Sequence, residues 1–255
     1  MTIDQRKGLA ARFAGVKARI AAAAEQCGRD PSGITLIAIS KTHPASVVSE
    51  LIELGATDLG ENRVQEAETK IPEVAHSEGT KRARWHLVGH LQANKARRAL
   101  GLFDVIHSLD SIDLARRLDR LCAEIGREPL PLLIQVDLGH EETKSGVDEK
   151  ELPQVVETVQ QLEHLELIGL MTLPPFFEDP KQARPYFRRL RELRDDLAGK
   201  GAFGERRGEL SMGMTNDFVV AIEEGATMVR VGTAIFGERG HKEAQEAQER
   251  RHAGN

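Results

Sequence analysis

The sequence contains few cysteines and few aromatic residues. Of its 255 residues two are cysteines, Cys27 and Cys122, and aromatic residues make up 4%. Neither cysteine has the closely spaced Cys or His partners that a structural zinc site requires. We interpret both as ordinary thiols in a reducing compartment.

The sequence also lacks long apolar runs and a signal peptide. Asp, Lys and Arg occur throughout residues 1–28, so this segment has no uninterrupted apolar core of the secretory kind. No apolar run approaches the roughly 20 residues that span a bilayer. We therefore expect a cytoplasmic protein with no membrane partner.

No strong excess of either charge is present. The formal net charge is -5, and no segment forms a basic stripe. Because non-specific DNA or RNA binding depends on concentrated Lys and Arg, this composition argues against a nucleic-acid partner.

Eight short apolar runs alternate with segments whose apolar residues recur every three or four positions. The runs lie at residues 34–40, 57–62, 84–90, 104–110, 130–139, 165–173, 208–213 and 227–237. The sequence thus predicts an α/β protein of the (β/α)8 TIM barrel type with an extra, alanine-rich N-terminal helix. An open, doubly wound sheet is the alternative, because alternation fixes parallel pairing but not closure. No linker rich in Pro, Gly or Ser divides the chain, so we expect a single domain over residues 1–255.

The residue that ends the first predicted strand is a lysine, Lys41, in "LIAISKTHPA". In a barrel of this type the active site is built at the C-terminal ends of the strands. One interpretation is a structural cation paired with a carboxylate. The other is an amine whose pKa is lowered by partial burial and which forms a Schiff base with a carbonyl. A pyridoxal phosphate site would also need a phosphate cradle, a partner for the pyridine nitrogen and a surface for the ring.

The last two strands offer two of these parts. Gly232 lets the backbone approach an anion, Thr233 adds a hydroxyl, and Ser211 reaches the same corner from the seventh strand. A simple turn is the alternative interpretation of the Gly-Thr pair. Arg230 alternates with two valines and is predicted to point into the barrel, either to a core carboxylate or to a ligand. Facing a pyridine nitrogen, it would keep that nitrogen unprotonated.

The remaining polar residues are less specific. Asn62, after the second strand, can hydrogen-bond a ring substituent. His86 and His90 are four apart on a strand, too far from each other to share one metal ion, so we expect no metal site. Lys144 and Ser145 follow strand five, where they can meet an anion or stay solvated. Three methionines are expected to fill core space: Met171, Met212 and Met214.

Seven motifs resemble, in order and spacing, the YggS/PROSC family of pyridoxal phosphate homeostasis proteins. They are "SKTHP", "GENRVQE", "WHLVGHLQANK", "HSLDS", "KSG", "GLMTL" and "LSMGMTNDFVVAIEEGATMVRVGTAIFG". The similarity extends from the N-terminal helix to Gly237, and the last motif is long and highly specific. It implies a monomeric barrel like the alanine racemase N-terminal domain, of PLP fold type III, with pyridoxal 5'-phosphate bound as an internal aldimine to Lys41.

The resemblance also implies roles for individual residues. Ser211, Gly232 and Thr233 would hold the phosphate, Arg230 would face the pyridine nitrogen and Asn62 would line the ring pocket. The full set of implied cofactor-binding residues is Lys41, Asn62, Ser211, Met212, Arg230, Gly232 and Thr233.

Three further positions follow from the same comparison. Lys144 matches a family lysine that takes part in cofactor handling. Thr215 and Asn216 depart from the family pattern, although Thr can still cap the helix that follows.

The family implies a carrier that limits free pyridoxal phosphate, with PLP-dependent apoenzymes as recipients, and it implies no catalytic residue. A two-base racemase needs a second base on the opposite face of the ring, and the one tyrosine, Tyr186, is predicted to lie away from the barrel mouth. The alternatives are a PLP-dependent amino-acid racemase or related lyase, and a module that binds only proteins.

Overall fold

The computed structural model describes residues 1–75, 82–139 and 145–237. Lys144 lies outside these ranges, so its role in cofactor handling stays a prediction.

Eight parallel strands form a closed barrel in which each strand pairs with the next along the chain. The ring closes where β1 pairs with β8, with Ile37 opposite Arg230. The strands are β1 Thr35–Ile39, β2 Asp58–Glu61, β3 Arg84–Leu87, β4 Val105–Leu109, β5 Leu130–Gln135, β6 Leu165–Met171, β7 Glu209–Ser211 and β8 Met228–Val231. The barrel prediction is confirmed, and the open sheet is excluded.

One helix precedes the first strand, and one follows each strand. They are α1 Ile3–Gln26, α2 Ala45–Glu53, α3 Val64–Ala75, α4 Ala96–Leu100, α5 Ile112–Ile125, α6 Leu152–Gln160, α7 Arg184–Gly199, α8 Phe218–Glu223 and α9 Thr233–Phe236. None of the helices in the described ranges is long and apolar enough to cross a membrane.

Two sequence predictions are wrong at the end of the barrel. The eighth strand stops at Val231 rather than continuing to Gly237, and Thr233–Phe236 is a helical turn instead. Helix α8 has Asp217 at its N-cap without a side-chain cap bond, so Thr215 is not its cap.

Buried apolar side chains form two clusters. The larger fills the layer between the strands and the helices. The smaller lies inside the barrel and includes Ile37, Ile39, Val105, Leu133 and Met171. This division follows from the strand period of two, because alternate residues of each strand face the barrel axis and the helices.

Helix α1 packs against α8 and α9 and so covers the closing strands of the barrel. Its first turn carries a capping box between Thr2 and Gln5. Arg12 donates hydrogen bonds to the carbonyl oxygens of Ile235 and Phe236, at 2.8 and 3.3 Å. The N-terminal helix thereby fixes the short helix that follows β8.

Candidate functional site

A cavity of about 510 Å³ opens at the C-terminal ends of the strands. This volume lies within the roughly 300–1,000 Å³ typical of small-molecule sites. Its polar lining includes five of the seven predicted cofactor-binding residues: Lys41, Asn62, Arg230, Gly232 and Thr233. Segments far apart in the chain therefore meet at one mouth, as the barrel prediction requires.

Lys41 stands two residues after the end of β1, in an irregular loop. Its side chain is exposed, which differs from the partly buried amine that the sequence predicts. Within the described residues it forms no ion pair, so the alternative of a structural cation has no carboxylate partner there. The next residue, Thr42, has a φ of 67°, which is unfavourable for a β-branched residue. The loop after Lys41 is thus held in a strained conformation.

A buried ionic cluster holds this loop from below. The Nζ of Lys70 donates to the Ser40 carbonyl at 2.7 Å and to carboxylate oxygens of Glu61 and Glu66 at 2.6 Å each. Glu66 in turn accepts the Thr42 N–H at 2.5 Å. The main-chain groups on both sides of Lys41 are therefore bound to one cluster.

Two members of the ionic cluster are almost fully buried. Lys70 is 5% exposed and Glu61 is 0% exposed. Burial raises the pKa of the Glu61 carboxyl, against the hydrogen bonds from Lys70 and Ser40 that favour ionisation. One oxygen of Glu61, Oε2, has no hydrogen-bond partner among residues 1–75, 82–139 and 145–237. Lys70 is the cation that compensates this carboxylate.

Arg230 points into the barrel, as the strand alternation predicts. Its Nη1 donates to the Ser211 hydroxyl at 2.6 Å and its Nη2 to the Thr172 carbonyl at 2.8 Å. Both acceptors are neutral, and no salt bridge joins Arg230 to a carboxylate in the described ranges. Burial lowers the pKa of the Arg230 guanidinium to about 10, while the charge of Asp217 opposes that shift. A buried cation with neutral partners faces the cavity.

Ser211 lies behind Arg230 rather than beside Thr233. It is fully buried and is not among the described residues that line the cavity. Its hydroxyl contacts Arg230 and, at 2.9 Å, the Nδ1 of His107. The structure therefore separates Ser211 from the Gly-Thr pair with which the sequence groups it.

The Gly-Thr pair lies at the edge of the cavity, where β8 ends. A Cβ at Gly232 would lie 3.3 Å from the carbonyl oxygen of Ile39. Glycine thus lets the backbone after β8 pass close to the end of β1, near Lys41. The exposed Thr233 follows directly. The chain contributes a main-chain segment and a hydroxyl here, beside the amine.

Asn62 reaches the cavity from the loop after β2. A Cβ at Gly89 would lie 2.2 Å from the Asn62 carbonyl oxygen, a contact that no other residue could make without movement. The close approach of these two loops fixes the main chain of Asn62 at the cavity wall.

The apolar wall of the cavity is absent from the sequence-based predictions. The loop after β6 supplies Leu173, Pro175, Phe176 and Phe177, and Phe176 is 78% exposed. Asn216 donates to the carbonyl oxygen of Phe177 at 3.0 Å, which ties this loop to the β7 loop. The signal was present in the apolar letters "LPPFF" beyond the sixth strand.

Several polar residues of the cavity were also missed. Thr215 and Gln135 line it, as does the nearly buried Asp217. Burial raises the pKa of the Asp217 carboxyl, opposed by the N–H of Met214 and the charge of Arg230. The "MTND" letters carried this signal, but the sequence alone assigns them to a helix start.

The three methionines have different locations. Met171 lies inside the barrel, and Met212 is fully buried in the layer between strands and helices. A contact of Met212 with a cofactor stays a prediction. Because the Met212 side chain is buried in the core, only its main chain could make that contact. Met214 lines the cavity and is 36% exposed, so its predicted core position is wrong.

Tyr186 and the two histidines of "WHLVGH" have structural partners. The Tyr186 ring centroid lies 5.9 Å from that of Phe177, behind the apolar wall. His86 is buried against Asp58, whereas His90 contacts Asp110. The residues that the structure describes contain no group of His, Cys, Asp or Glu suited to a metal ion.

Comparison with known proteins places this barrel in a family. Residues 14–240 match the family model "Alanine racemase, N-terminal domain". The pyridoxal phosphate homeostasis protein of Aquifex aeolicus is 42% identical over 228 residues, which cover 89% of this chain and 97% of that protein. The protein of the same name from Escherichia coli is 41% identical over 233 residues, covering 91% and 97% of the two chains.

One solved structure is similar to this chain in both fold and sequence. PipY of Synechococcus elongatus, in a structure with PLP bound, has 38% identity and a TM-score of 0.74, and the match covers 90% of this chain and 100% of PipY. Sequence, fold and site geometry lead to the same conclusion: the chain belongs to the alanine racemase N-terminal domain family and, within it, to the pyridoxal phosphate homeostasis proteins.

Proposed function

We propose that this protein binds pyridoxal 5'-phosphate and acts in its homeostasis. One observation carries the proposal: the amine of Lys41 and the buried guanidinium of Arg230 line the same cavity, and neither has a carboxylate ion pair in the described ranges. An aldehyde, an aromatic nitrogen and a phosphate are chemical partners for the groups found there. The relatives' names and the PLP in the PipY structure support the same cofactor.

Pyridoxal phosphate supplies an aldehyde that condenses with a primary amine to form a Schiff base and release water. Lys41 provides that amine at the cavity. The ionic cluster around Lys70 holds the main chain on both sides of Lys41, so the loop is fixed before any ligand enters.

The other residues bind and orient. Arg230 retains N–H donors beyond the two bound to Ser211 and Thr172, because a guanidinium has five, and these can be given to the pyridine nitrogen. Its positive charge disfavours a second cation on that nitrogen. The main chain at Gly232 and the hydroxyl of Thr233 would hold the phosphate.

The broader role that we propose is that of a cofactor carrier. The protein would act as a monomeric, non-catalytic carrier in the cytoplasm that passes the cofactor to PLP-dependent apoenzymes. Its two cysteines are free, which suits a reducing compartment. Light scattering on a size-exclusion column tests the monomer, and reconstitution of an apoenzyme from the loaded protein tests transfer.

The deciding experiment is borohydride reduction of protein mixed with pyridoxal phosphate, followed by peptide mass spectrometry. We expect a phosphopyridoxyl adduct on Lys41 and its loss in Lys41→Ala. The control is Lys150→Ala, which removes an exposed lysine on the loop before α6 and should leave the adduct in place. An adduct spread over surface lysines, or none, would refute the proposal.

Turnover is measured on the same protein preparations before reduction. Long incubation with amino acids and chiral analysis should show no multiple turnovers. Sustained racemisation that Lys41→Ala abolishes would instead establish the racemase alternative.

A further inference from the structure

A continuous chain of polar side chains crosses the interior of the barrel beneath the cavity. Barrels of this type usually fill that space with layers of aliphatic side chains. From the N-terminal to the C-terminal end of the strands the members of this interior chain are Asp58, His86, His107, Ser211 and Arg230. All five are at least nine-tenths buried. Only Arg230, at the upper end, is used by the proposed function.

The contacts of the interior chain are all of hydrogen-bond length. The Nε2 of His86 lies 2.9 Å from Asp58 Oδ1, and its Nδ1 lies 2.8 Å from His107 Nε2. His107 Nδ1 lies 2.9 Å from Ser211 Oγ, which accepts from Arg230 Nη1 at 2.6 Å. Four bonds therefore link a carboxylate at the start of β2 to the guanidinium at the cavity.

The charged groups at the two ends determine which atom donates in each hydrogen bond of the interior chain. Burial raises the pKa of Asp58, but hydrogen bonds from His86, Thr57 and Arg84 outweigh it and bring the pKa to about 2, so Asp58 accepts. Burial also lowers the pKa of His86 and takes that of His107 well below 6.5, so both rings are neutral.

A neutral His86 that donates from Nε2 accepts at Nδ1, so His107 donates from Nε2 and accepts at Nδ1. Ser211 must then donate its hydroxyl proton to His107. All donors in the interior chain point from Arg230 toward Asp58.

This direction leaves Ser211 with nothing to give a phosphate. A hydroxyl has one proton, and a phosphate oxygen only accepts near neutral pH. We propose that Ser211 and His107 are positioning residues that hold the Arg230 guanidinium toward the cavity, and that Ser211 is not a ligand of the cofactor phosphate. The second half of this statement rests on the proposed function.

The geometry at Arg230 explains the need for such support. Ser211 accepts from Nη1 and the Thr172 carbonyl from Nη2, so two points fix the plane of the guanidinium. The carbonyl is part of the main chain, whereas among the residues that the structure describes His107 alone accepts from the hydroxyl and orients it. Loss of either Ser211 or His107 should free one side of the Arg230 fork.

The first test uses cofactor-free protein. Nitrogen NMR of the Arg230 side chain reports rotation about the Cζ–Nη bonds, which is slow when both Nη groups are bonded. We expect faster rotation in Ser211→Ala and His107→Leu, recovery in His107→Gln, which keeps one donor and one acceptor, and no change in Thr233→Ala. Unchanged rotation in both Ser211→Ala and His107→Leu would overturn the positioning role.

The second test compares pyridoxal phosphate with pyridoxal, which lacks the phosphate. The quantity compared is the dissociation constant of pyridoxal divided by that of pyridoxal phosphate. Ser211→Ala should weaken the binding of both ligands by the same factor, so this ratio stays within about twofold of the wild-type value. Thr233→Ala should lower that ratio about tenfold, the effect of one hydrogen bond to a charged group. A fall of the ratio in Ser211→Ala as large as in Thr233→Ala would make Ser211 a phosphate ligand and refute the assignment.

Two outcomes are kept apart by this design. If the wild-type protein binds no pyridoxal phosphate, the proposed function fails, while the rotation measurement still decides the role of Ser211 and His107. If Ser211→Ala does not fold, His107→Leu and His107→Gln still decide the positioning role in the rotation test, and Ser211→Cys takes the place of Ser211→Ala in the ligand comparison. His164→Leu, at a half-buried histidine paired with Asp119 outside the barrel interior, is the matched control.

Discussion

Lys70 is the residue whose replacement tests the support of the Lys41 loop most directly. In Lys70→Met three hydrogen bonds of Nζ disappear, and the Glu61 carboxylate, 0% exposed, loses its compensating cation. Removing one partner of a buried ion pair costs about 3–5 kcal/mol, because an uncompensated charge stays behind. We expect that loss in the free energy of unfolding at pH 7, measured by urea denaturation.

The size of this effect should depend on pH. Burial already raises the pKa of Glu61, and without Lys70 it rises further. An acid whose pKa is higher in the folded state than in the unfolded state loses stability as pH rises above the unfolded value of about 4.3. The penalty of Lys70→Met should therefore grow toward pH 7 and shrink as the pH falls below about 4, because Glu61 becomes protonated in the unfolded state as well as in the folded state.

A double variant isolates the buried charge. Lys70→Met combined with Glu61→Gln removes both charges and should recover more than half of the lost stability at pH 7. Arg97→Ala is the surface control, since its pair with Glu124 is exposed and should be worth at most about 1 kcal/mol. A cost below about 1 kcal/mol for Lys70→Met, or no recovery in the double variant, would refute the argument.

The same change should weaken cofactor binding. Lys70 binds the Ser40 carbonyl directly, and it also holds the Glu66 carboxylate that accepts the Thr42 amide. Lys70→Met therefore releases the Ser40 side of the loop that carries Lys41 and leaves Glu66 without the cation that fixes it. Hydrogen exchange at the Thr42 amide should speed up in Lys70→Met. An unchanged exchange rate together with unchanged affinity would show that the loop is held by other contacts.

Two further predictions follow from the geometry. Asp58, whose pKa falls from its ordinary 3.8 to about 2, should contribute about 2 kcal/mol of stability above pH 4 that is lost as pH falls toward 2, and acid titration of unfolding should show this slope in the wild type but not in Asp58→Asn. Gly89→Ala should lower the free energy of unfolding by about 1–3 kcal/mol in thermal unfolding and weaken cofactor binding, because its Cβ would meet the Asn62 carbonyl oxygen. The control is Gly33→Ala, where a Cβ meets nothing within 4 Å and which should change neither quantity. Equal effects of the two variants would contradict the reasoning.

Local sequence pattern was sufficient to locate the eight strands of the barrel and to predict that Arg230 points into its interior. Apolar runs of strand length stand out from segments of helical period, and alternation along β8 assigns Arg230 to the interior. The same pattern extended the eighth strand too far, because "VGTAIFG" is apolar enough for a strand or for a buried helical turn. The backbone turn at Gly232, which ends the strand, is not visible in hydrophobicity.

Contacts between distant strands were beyond the sequence. Ser211 was grouped with Thr233 by its place at the end of a strand, but its partner His107 lies 104 residues away. Whether a residue at a strand end faces the cavity or the space below it depends on the stagger of the strands. Met212 and Met214 illustrate this, since two positions separate a core residue from one at the cavity.

Because β1 pairs with β8, the barrel can close only after the last strand has been synthesised. β1 leaves the ribosome early, but one of its edges stays bare until β8 has been made. Such an edge is a template for pairing with other chains, so an incomplete chain is prone to aggregate. The same closure joins Lys41, beyond the first strand, to Thr233, beyond the last. A ligand that requires both can bind only finished molecules, and by mass action it stabilises those alone.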